Sequence, residues 1–157
     1  MITTRALTPD DWRLWRRMRL LALQESPEAF GSRLADWQGE GDTESRWRDR
    51  LARVGLNVIA AVDGEPAGMA SGAADGDDVE LVSMYVAPAA RGRGVSDALI
   101  DAVVGWARGR GAARVLLSVR VGNERASRLY SRHGFVEAGP APGRPGDPPE
   151  DLMILEI

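Results

Sequence analysis

Three features predict an α/β fold for this 157-residue chain, with a mixed sheet of six or seven strands and about four helices. The first is a hairpin-built middle, in which the β-rich run Leu56 to Val62 meets the turn pair Asp63-Gly64 and returns as Ala67 to Ala74. The second is an amphipathic helix, Val95 to Arg108, between the apolar runs Val79 to Val86 and Val115 to Val119, the arrangement a parallel crossover requires. The third is helical periodicity on either side of that unit.

Taken in order, Ile2 to Leu7 reads as a first strand. Thr8-Pro9-Asp10-Asp11 opens a helix, with Thr8 as cap, Pro9 in the first turn and acid at the positive end. That helix is expected to run to about Glu25 on the spacing of Trp12, Leu14, Trp15, Met18, Leu21 and Ala22, and to stop at Pro27. Ser26 to Gly41 is turn-rich, with Phe30 and Trp37 isolated in it. A second helix starts at Asp42 or Thr43 and carries Trp47, Leu51 and Val54 on one face. Pro66 suits a strand start, and Asp75-Gly76-Asp77-Asp78 turns the chain into the central strand. Val115 to Val119 is apolar enough to be buried on both faces in a parallel pairing. Asn123 caps a short helix to Arg132 that Gly134 terminates. Phe135 to Glu137 and Asp151 to Ile157 are the last strands, and Gly139 to Pro149, with three glycines and five prolines, is a loop between them. A single domain over residues 1–157 is expected.

Composition excludes several function classes. Twenty basic against 23 acidic residues leaves a net charge of −3, so no global field recruits nucleic acid or an anionic membrane. Every basic residue is Arg, which reads mainly as a compositional bias spread over solvated faces. The absence of Cys removes disulfides, thiolate metal sites and a covalent Cys intermediate, and one His cannot build a His-rich centre, so no metal is expected. Met1 to Arg5 leads directly into amphipathic structure, without signal-peptide or membrane-span character, and a cytoplasmic location is expected.

The stretch that organises the chain is the turn Arg91-Gly92-Arg93-Gly94-Val95-Ser96 between a strand and a helix. Such a turn aims the unpaired N–H groups and the positive dipole end of the helix at one spot, which favours phosphate. Gly92 and Gly94 permit close approach, and Arg91 and Arg93 add charge. A nucleotide-hydrolysing P-loop is absent, because Val95 and Ser96 follow Gly94 where Lys and Ser or Thr are needed. The dinucleotide fingerprint fits poorly, because position 97 is Asp where a third glycine belongs.

With Met84-Tyr85-Val86-Ala87-Pro88 leading into it, the turn resembles the acetyl-CoA-binding motif of the GNAT N-acetyltransferase superfamily: Arg or Gln, two residues, Gly, one residue, then Gly or Ala. Ser96 departs from the last position. The run Asn123, Ala126, Leu129-Tyr130, Gly134-Phe135 is similar to the family's second cofactor motif, and the order of elements is similar over Thr3 to Ile157. The resemblance implies a sheet whose two central parallel strands splay apart, with pantetheine between them. It implies backbone N–H groups near Met84, Tyr85 and Val86 for the pantetheine and thioester, and Arg91, Gly92, Arg93, Gly94, Val95 and Ser96 for the diphosphate. Asn123 would contact the pantetheine arm, and Tyr130 would face the sulfur as acid. Asn123 and Tyr130, seven residues apart on a helix, share a side. Glu80, eleven residues before Arg91, is the candidate base, and strand alternation puts it on the face of Val82 and Met84. Solvation at the strand's first turn is an equal reading of Glu80. His133 at the helix-to-strand junction is expected to be structural.

The activity this implies is acetyl-CoA-dependent N-acetyl transfer to a primary amine of a small molecule, by direct attack in a ternary complex. A protein or peptide amine is the alternative acceptor, and a non-catalytic acyl-CoA-binding regulatory module the alternative class. Assembly as a homodimer is left open.

Overall fold

In the computed structural model, which describes residues 1–25 and 34–157, all seven strands form one sheet in the order β1-β2-β3-β4-β5-β7-β6. The strands are β1 (Ile2–Ala6), β2 (Leu56–Val62), β3 (Glu65–Asp75), β4 (Asp78–Val86), β5 (Arg114–Arg120), β6 (Val136–Pro140) and β7 (Glu150–Glu156). The helices are α1 (Trp12–Glu25), α2 (Glu44–Arg53), α3 (Val95–Gly109) and α4 (Glu124–Arg132), with short 3-10 turns at Pro9–Asp11, Leu34–Trp37, Gly39–Gly41 and Pro88–Ala90. The expected stop at Pro27 and the turn residues Phe30 and Gly31 lie outside the described residues.

Local chemistry accounts for the boundaries. The Thr8 N–H donates to the Asp11 carboxylate at 2.8 Å, and Pro9 occupies the first turn, so the entry to α1 is closed before any tertiary contact forms. Thr43 Oγ1 accepts from the Arg46 N–H at the start of α2, and Asn123 Oδ1 from the Ala126 N–H at the start of α4.

Two cores cover opposite faces of the sheet. On one, Val95, Leu99 and Val103 of α3, Tyr130 of α4 and Phe135 just beyond α4 pack onto Val58, Ala70, Val79, Leu117 and Met153. α3 comes close because β3 presents Gly68 and Gly72 beneath it. A Cβ on Gly68 would lie 3.0 Å from Val95 Cγ1 and 3.1 Å from Leu99 Cδ1, and one on Gly72 3.0 Å from the Trp106 ring. On the other face, α1 and α2 pack Trp15, Met18, Trp47 and Leu51 onto Ile59, Met69 and Tyr85.

β4 and β5 pair in parallel only from Asp78 to Glu80 against Arg114 to Leu116. Beyond Glu80 they diverge, while β4 stays paired to β3 and β5 to β7 over its full length. The splay that the resemblance implied is therefore present, and it splits the sheet into a hairpin-built half and a β5-β7-β6 half hinged at three residue pairs.

Three expectations are corrected. Val115 to Val119 is not buried on both faces: Val115, Leu117 and Val119 are buried, Leu116 is half-buried and Ser118 is exposed. The reason is the antiparallel pairing with β7, and the described parts of α1 and α2 cover the hairpin-built half instead. Gly139 and Pro140, expected in a loop, end β6, where Pro140 pairs with Asp151 across a register shift. Lastly, Glu80 and Met84 do not share a face. Register slips by one between Ser71↔Val82 and Met69↔Tyr85, with Ser83 at φ +59°. Glu80 and Val82 consequently face the α1/α2 side, while past the bulge Met84 and Val86 pack with α3 and Tyr85 turns to the α1/α2 core.

Candidate active site

A cavity of about 1070 Å³ occupies the gap between β4 and β5 and is lined from both sides of the sheet. On the α3 side its wall is the turn that was read as a phosphate site. Gly92 and Gly94 hold φ of +75° and +88°, values that L side chains resist, so the chain can fold back here and start α3 at Val95. A Cβ on Gly92 would meet nothing within 4 Å, so its backbone is open to a ligand. The first amides of a fifteen-residue helix converge at Val95 and Ser96, and both residues line the cavity.

Arg91 also lines it. Its Nε donates to the Val86 carbonyl at 3.1 Å and its Nη2 pairs with Glu25 at the end of α1. Glu25 also accepts from the Tyr85 hydroxyl. The Tyr85 hydrogen bond, with Arg91 beside it, holds the Glu25 carboxyl below its usual range, and burial together with Glu25 pushes the Tyr85 hydroxyl up to about 12. Tyr85 thus spends its ring on the opposite core and does not line the cavity; Arg93 is exposed and does not line it either. Met84, Val86, Gly92, Gly94, Asn123, Tyr130 and Glu80 are brought together in it.

Tyr130 is 7% exposed and rests its ring edge against Phe135 at 5.8 Å between centroids. Burial pushes its hydroxyl up to about 12, so it stays protonated. Asn123 reaches the cavity from the cap of the same helix. Its Oδ1 is engaged with Ala126, which leaves the amide NH₂ as donor. Glu80 is half-buried, and burial, then the charges of Asp75 and Glu150, raise its carboxyl above the ordinary value. Asp97 is neutralised from α4: His133 Nε2 lies 2.7 Å from its Oδ1 and Arg132 Nη2 3.2 Å. His133 ties α4 to α3, as expected of a structural residue.

Reading the sequence missed the polar residues on the α1/α2 wall, namely Arg19, Arg50 and Ser83. Arg50 Nη1 donates to Asn57 Oδ1 at 2.8 Å, and Nη2 to Ser71 Oγ at 3.3 Å and Ser83 Oγ at 3.2 Å. A signal existed. Arg50 falls inside the stripe Trp47, Leu51, Val54, and Asn57 and Ser71 interrupt apolar strand runs.

The sequence matches the acetyltransferase (GNAT) family over residues 15–135. The chain belongs to the GNAT acetyltransferase family. It is 37% identical over 85 residues to an uncharacterized N-acetyltransferase of Mycobacterium tuberculosis, covering 53% of this chain and 54% of that protein. Over 81 residues it is 29% identical to a putative ribosomal-protein alanine N-acetyltransferase of Bacillus subtilis, covering 52% and 54%. The chain thus spans about half the length of the curated relatives it matches. The fold aligns over 100% of this chain and 99% of the PaiA N-acetyltransferase of Thermoplasma acidophilum, solved with coenzyme A, at a TM-score of 0.78 and 16% identity.

The residues present fit an acyl-coenzyme A. The open glycine turn at the head of α3 suits a diphosphate, and the interrupted β4/β5 pairing leaves strand edges whose amides lack ladder partners. Among the described residues no cluster of His, Asp and Glu is arranged to hold a metal, and no helix is long and apolar enough to cross a membrane.

Proposed function

We propose that this member of the GNAT family is an acetyl-CoA-dependent N-acetyltransferase acting on a primary amine of a small molecule by direct attack in a ternary complex. The observation that carries the reading is the cavity itself, which joins the Gly92 to Ser96 turn, Tyr130 and Glu80 through the gap in the sheet. When bound, acetyl-CoA supplies a thioester-activated acetyl group. The turn amides and the α3 dipole hold its diphosphate, with the Arg91 guanidinium fixed beside them by Val86 and Glu25. Edge amides of β4 near the Ser83 bulge are hydrogen-bond donors where negative charge develops. Glu80, whose raised affinity for protons suits a general base, takes the proton from the acceptor amine. Tyr130 holds its proton at the departing sulfur. With no Cys in the chain, no covalent thioester relay through the protein exists.

A second reading, a peptide or protein α-amine as acceptor, is supported by the likeness to the Bacillus subtilis protein named above. Calorimetry with coenzyme A, followed by thiol release from acetyl-CoA across amines, amino acids and short peptides, tests the activity. Ser96→Glu, which sets a carboxylate in the first turn of α3, is expected to weaken coenzyme A binding about a hundredfold or more through like-charge repulsion while leaving the helix stable. Unchanged affinity would remove the diphosphate assignment.

A further inference from the structure

We propose that Arg50 is the carboxylate-binding residue of the acceptor site, so that the preferred acceptor is a free amino acid or a similar small amine bearing a carboxylate. The inference rests on reading the cavity as an acyl-transfer site.

Arg50 reaches the cavity wall from α2 across the β2 and β3 strands. Its three hydrogen-bond partners, Asn57, Ser71 and Ser83, are all neutral, and its guanidinium lies over the Trp15 ring at 5.2 Å. A guanidinium is always charged and has five N–H donors in a planar fork, and out of water it calls for an anion. Among the described residues none supplies one. Of the described carboxylates that line the cavity with it, Glu150 pairs with Arg120 and Asp97 with Arg132. Burial, reinforced by the charge of Arg53, depresses the Arg50 guanidinium to about 10.

Position makes this a ligand site. Arg50 is anchored to Ser83, the bulge residue at which β4 changes face, and so lies against the strand gap beside Met84. It is on the α1/α2 side, whereas the glycine turn opens at the head of α3 on the other side, so the phosphate site and the Arg50 site are separate ends of one cavity. Arg19 of α1, 6% exposed, lines the same wall. The carboxylate on this wall, Glu80, is on the same face of β4 and has no hydrogen bond or ion pair to Arg50. A wall that offers the Arg50 cation together with the Glu80 carboxylate is the complement of a zwitterion. A peptide N-terminus, whose carbonyl is amidated, would leave the Arg50 charge uncompensated.

Binding measured by thermal shift and calorimetry on the full chain, using each of the common free amino acids and the matching carboxamides as probes, tests the proposal. At least one amino acid is expected to bind about a hundredfold more tightly than its carboxamide. Arg50→Met should abolish that preference, and Arg50→Lys should restore part of it while keeping the charge. The proposal is overturned if no amino acid binds, if carboxamides or short peptides bind as tightly as the free acids, or if Arg50→Met keeps the discrimination. The comparison of acid with carboxamide on the unaltered protein needs no variant to fold. Coenzyme A binding in the same samples separates the two readings. Coenzyme A bound without preference for the acid sinks the Arg50 assignment alone, and failure to bind coenzyme A sinks the acyl-transfer reading, while the amino-acid comparison still reports on Arg50.

Discussion

Two arginines on the α1/α2 side of the sheet, Arg16 of α1 and Arg50 of α2, are treated in opposite ways. Arg16 donates from Nε to Asp42 Oδ1 at 2.7 Å and from Nη2 to Oδ2, and Asp42 also accepts from the Trp47 indole at 2.8 Å. Among the described residues the Arg50 guanidinium meets hydroxyls and an amide oxygen. The contrast shows in proton affinity: the Asp42 hydrogen bond raises Arg16, and burial lowers Arg50 to about 10. A charge with a partner holds α1 to α2. A charge with no countercharge among the described residues, facing a cavity, costs stability that the proposed ligand would recover.

The largest effect expected on this contrast comes from breaking the closed pair. Asp42→Ala removes the partner of Arg16 and leaves the Trp47 indole N–H, on a side chain with no exposed surface, unsatisfied. With the pair itself partly exposed, a loss of about 1–2 kcal/mol, mostly from the unsatisfied indole, is expected in chemical denaturation. Arg50→Met, by contrast, loses three hydrogen bonds and a desolvation penalty together and should change stability by about 1 kcal/mol or less. Equal losses at the two positions would erase the distinction. The pair also has a pH signature. Asp42 falls from 3.8 to about 2 in the folded chain, with Arg16 the first cause and the Trp47 hydrogen bond the second. A lowered folded value stabilises above the unfolded one, so this contribution is complete above about pH 4 and is lost as pH falls toward 2. In Asp42→Asn that part of the acid-unfolding curve should flatten.

Glu80 extends the contrast to a carboxylate. With burial as the first cause of its raised proton affinity, it stabilises the fold least when ionised. Its contribution is present below 4.5 and is lost as pH rises through the higher folded value. Glu80→Gln is therefore expected to raise the melting temperature at neutral pH while lowering turnover about thirtyfold, roughly 2 kcal/mol of barrier. The acidic limb of the turnover profile should sit above the ordinary Glu range in the unaltered protein and vanish in the variant. A limb that survives would hand the proton to water.

What was legible in the sequence follows the same division. Elements set by neighbouring residues came through: Asp63-Gly64 fixes β2 and β3, Gly94 and Val95 start α3, and Asn123 starts α4, each within two residues of expectation. The glycine turn and Tyr130 were readable because their spacing is local. The Ser83 bulge was not, because it arises from the β3/β4 register, and it moves Met84 to the face opposite Glu80. Nor could a linear reading pair Arg91 with Glu25, 66 positions away, or bring Arg50 to Ser83, 33 positions away. Long-range polar contacts carry no periodicity; their trace is a polar residue in an apolar stripe, as at Arg50 and Ser71.

Tyr130 gives the smallest effect and the sharpest test of how a buried neutral group differs from a buried charge. Its hydroxyl, raised to about 12 by burial alone, lies well above a thiol near ~8.5, so on the proposed reading outright transfer of its proton to the sulfur would be uphill and its contribution would be a hydrogen bond. Tyr130→Phe keeps the ring against Phe135 and removes only that bond. Turnover should fall about fivefold, roughly 1 kcal/mol, with coenzyme A affinity and melting temperature nearly unchanged. Because the bond matters in proportion to charge on the sulfur, acyl donors with more acidic thiols should narrow the gap between Tyr130 and the variant. A gap that stays constant across donors would mean that Tyr130 only shapes the cavity.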